Sequence, residues 1–359
     1  MLLVDLDYFY AQCEEIRAPN IKDKPVVVCV YSGRTEDSGA VSTANYIARK
    51  YGVKSGIPIS LAKKKLKNID AVFLPVDLPF YKKISNNIMK ILNDHADFFE
   101  QVGIDEAYLD VTKRTKTDYL EARELGEEIK RKILFSQKLT CSIGIGSNKL
   151  IAKIAADVQK PDGLTLVQAH DVASFLSPLP VRRLVGVGKK TEKKLEDLGI
   201  RTIGQLSKFD VQRLIEIFGK KLGIYFHNAS NGIDNEPVQK RDEPESLSRI
   251  STLKENTKTL SLILDDAYNL CEEVHTKLVK NGLLYRSVNI YIVASDLRNY
   301  NRSKTFENPT NSLELLENTV HDLFEKFLEE TDIEARRIGV KVSNLSRKEV
   351  KQRELINFF

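Results

Sequence analysis

Apolar and polar positions recur along the chain with periods that divide it into distinct pieces. Residues 2–6 form a short apolar run that reads as a strand, and residues 81–92 place Ile84, Ile88, Met89 and Leu92 at helical spacing. Two further strands are predicted at 98–102 and 107–111. Asp118 has the side chain of an N-cap for the next helix, whose inward side takes Leu125, Ile129 and Ile133. A strand at 140–146 then runs into a helix over 148–158, with Ile151, Ile154 and Ala155 inward. This β-α-β-β-α-β order describes a ferredoxin-like unit. An insertion at about residues 9–75, with a strand at 26–30 and a turn-rich stretch at 31–39, separates its first strand from its first long helix.

A mainly helical section follows from about residue 168 to 232, and residues 233–245 have the composition of a linker. Beyond it the order of elements recurs without any repeat of sequence: strands at 248–254, 287–293, 303–306 and 337–342, with helices at 260–280 and 312–331. The chain is therefore read as α+β with several domains, in keeping with its 359 residues.

Composition narrows the class. An apolar fraction of 42% and a charged fraction of 29% fit a globular protein, and no apolar run approaches the length of a membrane span. Cys13, Cys29, Cys141 and Cys271 are scattered without a CxxC pair and the five histidines show no zinc spacing, so a reduced, cytoplasmic protein without structural metal or disulfides is expected. The net charge of +5 is unevenly spread: residues 241–359 carry 18 Lys+Arg against 20 Asp+Glu, leaving 37 against 30 for residues 1–240. In that last third the helices are acidic and the strands basic. A sheet with helices on its back would then present a basic open face suited to a phosphate backbone, with Arg249, Arg298, Lys304, Arg336, Arg337 and Lys341 as candidate contacts. Charges that merely blunt the sheet edges would give the same pattern.

The candidate chemistry lies in two acidic clusters. Asp5-Leu6-Asp7 ends the first apolar strand, and Asp105-Glu106 precedes Ala107-Tyr108-Leu109-Asp110. Carboxylates at the ends of buried strands must be solvated, paired or bound to a cation. Oxygen-only ligands suit Mg²⁺ or Mn²⁺, and several of them side by side meet the requirement of two-metal phosphoryl transfer. Strand caps paired with surface lysines would also explain them. Strand periodicity does not choose between Asp5 and Asp7, which it puts on one face.

Three more segments bear on partners. Thr43, Tyr46, Arg49 and Lys160, the last in Lys160-Pro161-Asp162-Gly163, are the hydroxyl and cation types that a nucleoside triphosphate needs. Leu184-Val185-Gly186-Val187-Gly188-Lys189-Lys190 has the form of a helix-hairpin-helix turn, in which Gly186 and Gly188 let backbone N–H groups approach a DNA phosphate beside Lys189 and Lys190. The last residues, Gln352-Arg353-Glu354-Leu355-Ile356-Asn357-Phe358-Phe359, match the Gln-x-x-aliphatic-x-x-aromatic-aromatic box that docks on archaeal or eukaryotic sliding clamps, with Gln352, Leu355, Phe358 and Phe359 as anchors.

Taken together, Asp5-Leu6-Asp7-Tyr8-Phe9-Tyr10-Ala11-Gln12, Ser38-Gly39-Ala40-Val41-Ser42-Thr43-Ala44-Asn45-Tyr46, Ile104-Asp105-Glu106-Ala107-Tyr108-Leu109-Asp110 and the stretch from Asn148-Lys149 to Gly163 resemble the Y-family translesion DNA polymerases of the DNA polymerase IV type, closest to archaeal members. The resemblance implies a right hand: a ferredoxin-like palm from residues 1–8 and 76–167, small fingers at 9–75, a helical thumb with the helix-hairpin-helix at 168–232, a linker at 233–245, a β-α-β-β-α-β little finger at 246–345 and a tail at 346–359 carrying the clamp box. It implies template-directed, low-fidelity DNA synthesis by a monomer on primer-template DNA and dNTP, with two Mg²⁺ ions and no proofreading exonuclease.

Residue by residue, Asp5, Asp105 and Glu106 match the family's metal-binding acids, with the Leu6 carbonyl as a further ligand, and here the resemblance selects Asp5 over Asp7. Tyr10 matches the steric gate against a ribose 2′-hydroxyl, Phe9 stacks near the sugar, and Thr43, Tyr46, Arg49 and Lys160 match the triphosphate contacts. Val30, Ala40, Ser42 and Gly56 match the thin roof over the nascent base pair, which admits damaged templates. Gly103, where many relatives have serine, and the mixed-sign segment Lys240-Arg241-Asp242-Glu243-Pro244-Glu245, often basic in archaeal relatives, depart from the pattern. Haloacid-dehalogenase-like phosphatases also open with an apolar strand and Asp-x-Asp, but that scheme leaves Asp105-Glu106 and the hairpin without a role. A non-catalytic DNA-binding or clamp-adaptor protein would not need the full acid set.

Overall fold

The computed structural model describes residues 1–240 and 244–347. The described residues form two compact units, one of residues 1–30 and 40–240 and a second of residues 31–39 and 244–347.

The first unit opens with β1 (Leu2–Leu6), α1 (Phe9–Arg17), β2 (Val26–Tyr31), β3 (Gly39–Ala44), α2 (Tyr46–Lys50), α3 (Ile59–Lys65) and β4 (Val72–Pro75). It continues with α4 (Leu78–Asp94), β5 (Phe98–Gln101), β6 (Glu106–Asp110), α5 (Tyr119–Gln137), β7 (Cys141–Ile145), α6 (Lys149–Val158) and β8 (Leu164–Leu166). Five strands pair in the order β5-β6-β1-β7-β8, which puts β1 at the centre, antiparallel to both β6 and β7. The local signals act as expected: Asp118 accepts from the N–H groups of Leu120 and Glu121, and Asn148 from that of Ile151. Helices α4 and α5 bury Ile88, Leu92, Ile129 and Ile133 in one core with Leu2, Val4 and Ile143 of the sheet. The approach of α6 to β7 is so close that a Cβ at Gly144 would stand 1.9 Å from the Ala152 carbonyl oxygen, so only glycine fits there.

Two features were not expected from the apolar pattern. The insertion builds its own three-stranded sheet, β3-β2-β4, around Val27, Cys29, Val41 and Ile59, and β8 adds an edge to the central sheet. A helical stretch follows: α7 (Val172–Leu176), α8 (Lys189–Asp197), α9 (Ile203–Ser207), α10 (Val211–Phe218) and α11 (Lys220–Ser230).

In the second unit, β9 (Ser246–Thr257), α12 (Leu260–Lys280), β10 (Leu283–Ala294), β11 (Asn299–Thr310), α13 (Leu313–Glu330) and β12 (Ala335–Ser343), followed by the short β13 (Ser346–Arg347), repeat the β-α-β-β-α-β order. The sheet order is β11-β10-β12-β9, and its core joins Val288, Ile290, Ile338 and Val340 to α12 and α13 through Ile263, Val274, Phe324 and Phe327. Its charges are not arranged as the sequence suggested. Arg249 pairs in register with Val340 and Lys304 with Val288, so both share the face that the helices cover. There Arg249 meets Glu273 of α12 at 2.8 Å, Lys304 lies 3.8 Å from Asp322 of α13, and Arg302 meets Glu330 at 3.0 Å. All three lie on the edge strands β9 and β11, where a long side chain can reach around to a helix and keep its head in water. Arg337 and Lys341 alternate with buried Ile338, Val340 and Val342 and remain on the open face. Arg336 sits at an irregularity of the β12–β9 pairing, and Arg298 lies just before β11, 3.3 Å from Asp296.

Candidate active site

The two acidic segments meet at one end of the central sheet. Asp5 is the cross-strand partner of Glu106, and the Leu6 N–H donates to the Asp105 carbonyl at 2.8 Å. Asp5 and Asp7 lie on the same side of the sheet, as the alternation predicts: Ser142, the cross-strand neighbour of Asp5 on β7, donates to the Asp7 carboxylate. β1 ends at Leu6, the Asp7 N–H continues the ladder to the Thr140 carbonyl at 3.2 Å, and the chain then turns sharply through Tyr8, which has a left-handed φ of 34°. Asp5 opens on a cleft of about 380 Å³, lined also by Leu6, Phe9, Tyr10, Thr43, Tyr46, Arg49, Asp105 and Lys160. Asp7, at the cleft wall, is only 1% exposed.

The acids of this cleft are short of positive charge. Burial pushes the Asp5 carboxyl up to about 6 against the pull of Lys160, and the charges of Asp105 and Glu106 add to the push. Burial likewise raises Asp105, with Glu106 contributing. Lysines supply part of what is missing: Lys160 Nζ lies 2.8 Å from both Asp5 and Asp157, and Lys153 Nζ lies 2.6 Å from Glu106. Burial works against the Lys160 ammonium, yet Asp5 and Asp157 together hold it above its ordinary range. Among the described residues no three carboxylate, thiol or imidazole groups stand close enough to hold an ion as they are, since Asp5 and Glu106 each turn to a lysine. The donor set nonetheless suits a hard divalent cation, being all oxygen, and positive charge already sits on two of its members. Lys153 escaped the sequence reading, although its place on α6, four residues after Lys149, put it on a helix packed against the sheet.

The opposite wall is set by α1 and α2. Asn45 caps α2 by accepting from the Ala48 N–H, while its own amide donates to Glu15 and to the Lys24 carbonyl, each at 2.8 Å. That places Tyr46 at the start of α2, with the Arg49 guanidinium 4.7 Å from its ring centroid and Arg49 Nε donating to the Ala44 carbonyl. Tyr10 on α1 stacks on Tyr81 of α4 with centroids 4.4 Å apart and planes 14° from parallel, and fully buried Tyr81 donates its hydroxyl to Glu14 at 2.7 Å. The sequence marks Tyr81 only as a helical position; its aromatic character on the face toward α1 is the signal of its role. On the insertion, Ala40 and Ser42 lie on β3, and a Cβ at Gly56 would meet nothing within 4 Å.

The helical stretch carries the hairpin turn. Gly186 has φ +83°, Gly188 is the N-cap of α8, and buried Leu184 and Val187 anchor the turn while Lys189 and Lys190 lie exposed. The Tyr225 hydroxyl donates to the Val185 carbonyl at 2.8 Å and braces it. Gln352, Leu355, Phe358 and Phe359 lie outside the described residues.

Comparison with known proteins agrees with this geometry. A profile of the impB/mucB/samB family matches residues 4–157, one of that family's C-terminal domain matches residues 244–355, and one of the DNA polymerase-iota thumb domain matches residues 182–234. The chain is 50% identical over 357 residues to a DNA polymerase IV of Nitrosopumilus maritimus, covering 99% of this chain and 98% of that protein. It is 45% identical over 351 residues to a DNA polymerase IV of Methanosarcina acetivorans, covering 96% and 95%. Among solved structures, a Y-family DNA polymerase chimera of Dbh and Dpo4 superposes with a TM-score of 0.91 at 36% identity, covering 97% of this chain and 99% of that one. An insertion ternary complex of Dbh DNA polymerase superposes at 0.69, also at 36% identity and the same coverage. With profiles spanning most of its length, relatives matched nearly end to end and its acids paired across one sheet, the chain belongs to the Y family of DNA polymerases, of the DNA polymerase IV type.

Proposed function

We propose that Asp5, Asp105 and Glu106 carry the nucleotidyl transfer of this translesion DNA polymerase, adding a dNTP to a primer 3′-hydroxyl, and that the ions it uses are two Mg²⁺, with Mn²⁺ as a substitute. The observation that carries the reading is the pairing of Asp5 with Glu106 across β1 and β6, beside Asp105 and at the mouth of a cleft walled by Thr43, Tyr46, Arg49 and Lys160. Asp5, Asp105, Glu106 and the Leu6 carbonyl would hold the ions, which when bound lower the pKa of the 3′-hydroxyl and neutralise the triphosphate. For an ion to bind, Lys160 and Lys153 must release Asp5 and Glu106, and Lys160 is then free to turn to the phosphates. Arg49, Tyr46 and Thr43 orient the triphosphate by charge-assisted and hydroxyl hydrogen bonds. Tyr10, with Phe9, guards the sugar.

The palm, fingers, thumb and little finger keep the boundaries given above, the chain works as a monomer in the cytoplasm, and it holds primer-template DNA through the Gly186–Gly188 turn with Lys189 and Lys190. Arg337 and Lys341 on the open face, with Arg298 and Arg336 near it, add phosphate contacts; Arg249 and Lys304 would reach DNA only by leaving their helix partners. Among the described residues no helix is long and apolar enough to cross a membrane.

The direct test is extension of a labelled primer on a single-stranded template with all four dNTPs. Synthesis should require Mg²⁺ or Mn²⁺, stop on chelation and resume when the ion is restored; synthesis that persists in chelator would refute the two-ion reading. Removing residues 352–359 should leave this basal extension within about twofold and abolish its stimulation by a sliding clamp, because the anchors Leu355, Phe358 and Phe359 go with the segment. Equal stimulation of the truncated chain would mean that the box is not the docking site.

A further inference from the structure

Asp7 is buried beside the catalytic cleft, and its carboxylate serves an end that the transfer chemistry does not use. Three neutral donors hold it. Ser142 Oγ donates to Oδ1 at 2.7 Å, while Thr140 Oγ1 at 3.0 Å and the Asp162 backbone N–H at 2.8 Å both donate to Oδ2. Gln12 fixes Asp7 in turn, its Nε2 donating to the Asp7 carbonyl at 2.6 Å while its Oε1 accepts from the Thr140 N–H at 2.6 Å. Three of the roughly four acceptor sites of this buried carboxylate are taken by neutral donors of the protein, which commits it to the turn rather than to an ion.

The third donor is the informative one. Asp162 belongs to the turn Lys160-Pro161-Asp162-Gly163, which leads from α6 to β8, and has φ +56°, a left-handed conformation that aspartate tolerates better than most L residues. Two opposite charges hold the turn in place. The Asp7 carboxylate takes the Asp162 N–H, and Lys130 Nζ donates to the Asp162 and Gly163 carbonyls at 2.5 and 3.2 Å from α5. Lys160 stands two residues before Asp162, with its ammonium in the cleft on Asp5. Where the turn is fixed therefore decides where that ammonium can reach.

We propose that Asp7 is a positioning residue for the nucleotide: it holds no ion, and it clamps the 160–163 turn so that Lys160 meets the triphosphate. This rests on the reading of Lys160 as a triphosphate contact. The chemistry distinguishes it from a ligand role. In Asp7→Asn the amide oxygen can take the Oδ2 position and still accept from Thr140 and Asp162, while the NH₂ faces Ser142, whose hydroxyl can rotate to accept. In Asp7→Ala the turn loses its anchor. At an ion ligand the same change removes the negative charge that holds the cation, and kcat should fall.

The test is single-nucleotide incorporation with kcat and dNTP KM measured separately for the full chain and its variants. Lys160→Ala should raise KM about tenfold or more, the worth of a charged hydrogen bond to phosphate. Asp7→Ala should raise KM several-fold with kcat within about threefold, Asp7→Asn should stay within about threefold of the parent in both, and Asp7→Ala with Lys160→Ala should be no worse than Lys160→Ala alone. If Asp7→Ala melts too low to assay, Lys130→Met releases the same turn from its other side and should raise the same KM. The proposal is overturned if Asp7→Asn loses kcat as Asp5→Asn does, if the Asp7 and Lys160 effects multiply, or if releasing the turn by either substitution leaves KM unchanged. An unchanged KM in Lys160→Ala would instead remove the triphosphate contact itself, and the positioning role with it.

Discussion

Replacing Asp105 with alanine should cut kcat/KM for primer extension by about a thousandfold or more, while the Kd for primed DNA changes by less than about threefold. The asymmetry follows from where the charge is needed. Asp105 lies in the bend before β6 and shares its cleft with Asp5, opposite Glu106. Removing one acid relieves repulsion in the free protein, so stability should hold or rise slightly. It also lowers the field that would keep a divalent ion beside the reacting phosphate. In the proposed reading DNA would be gripped elsewhere, at the exposed Lys189 and Lys190 and at Arg337 and Lys341, and the substitution leaves those side chains untouched. The measurement pairs single-turnover extension with a binding titration at one fixed salt concentration, because phosphate contacts make affinity strongly salt-dependent. Extension within about tenfold of the parent would remove Asp105 from the metal site. A parallel loss of DNA binding would mean that the residue supports the fold instead.

How much of this was legible in the sequence depended on the kind of signal. Long amphipathic helices with an acidic or amide cap were fully readable: α12 runs from Leu260 to Lys280 as its periodicity predicts, and the caps at Asp118 and Asn148 are in place. Strands without alternation were not. The β3 sequence Gly-Ala-Val-Ser-Thr-Ala has one large apolar residue, and β8 spans three residues, too few to show a period. The same weakness misled the charge map. Residues 299–305 are polar or charged apart from Tyr300, so nothing in the sequence says which side Lys304 takes, and pairing with β10 decides it. In the active site, residue types were legible and their division of labour was not. Asp5 and Asp7 read alike and share a face; what separates them is that Lys160 reaches the first, while Ser142, Thr140 and Asp162, all distant in sequence, converge on the second.

The other large effect is expected at the sugar. Tyr10→Ala should lower the preference for a dNTP over the matching rNTP by about a hundredfold, and dNTP incorporation itself should fall less than about tenfold. A side chain excludes a ligand atom only if it cannot move aside, and Tyr10 is held in place. Its ring lies flat on Tyr81, with centroids 4.4 Å apart, and tilts against Phe9 at 5.7 Å. Behind it Tyr81 is fully buried and tied by its hydroxyl to Glu14, so the stack has no room to retreat. Forcing an extra oxygen against such a ring costs about 1–3 kcal/mol in overlap, up to roughly a hundredfold in rate. Tyr10→Phe should retain the discrimination, because the ring provides the barrier and the hydroxyl is not needed for it. The readout is the ratio of kcat/KM for dCTP and CTP opposite a template guanine in the parent and both variants. If the ratio stays the same in Tyr10→Ala, sugar selection resides in another side chain of the cleft. If it falls equally in Tyr10→Phe, the selecting group is the phenol oxygen and the wedge argument fails.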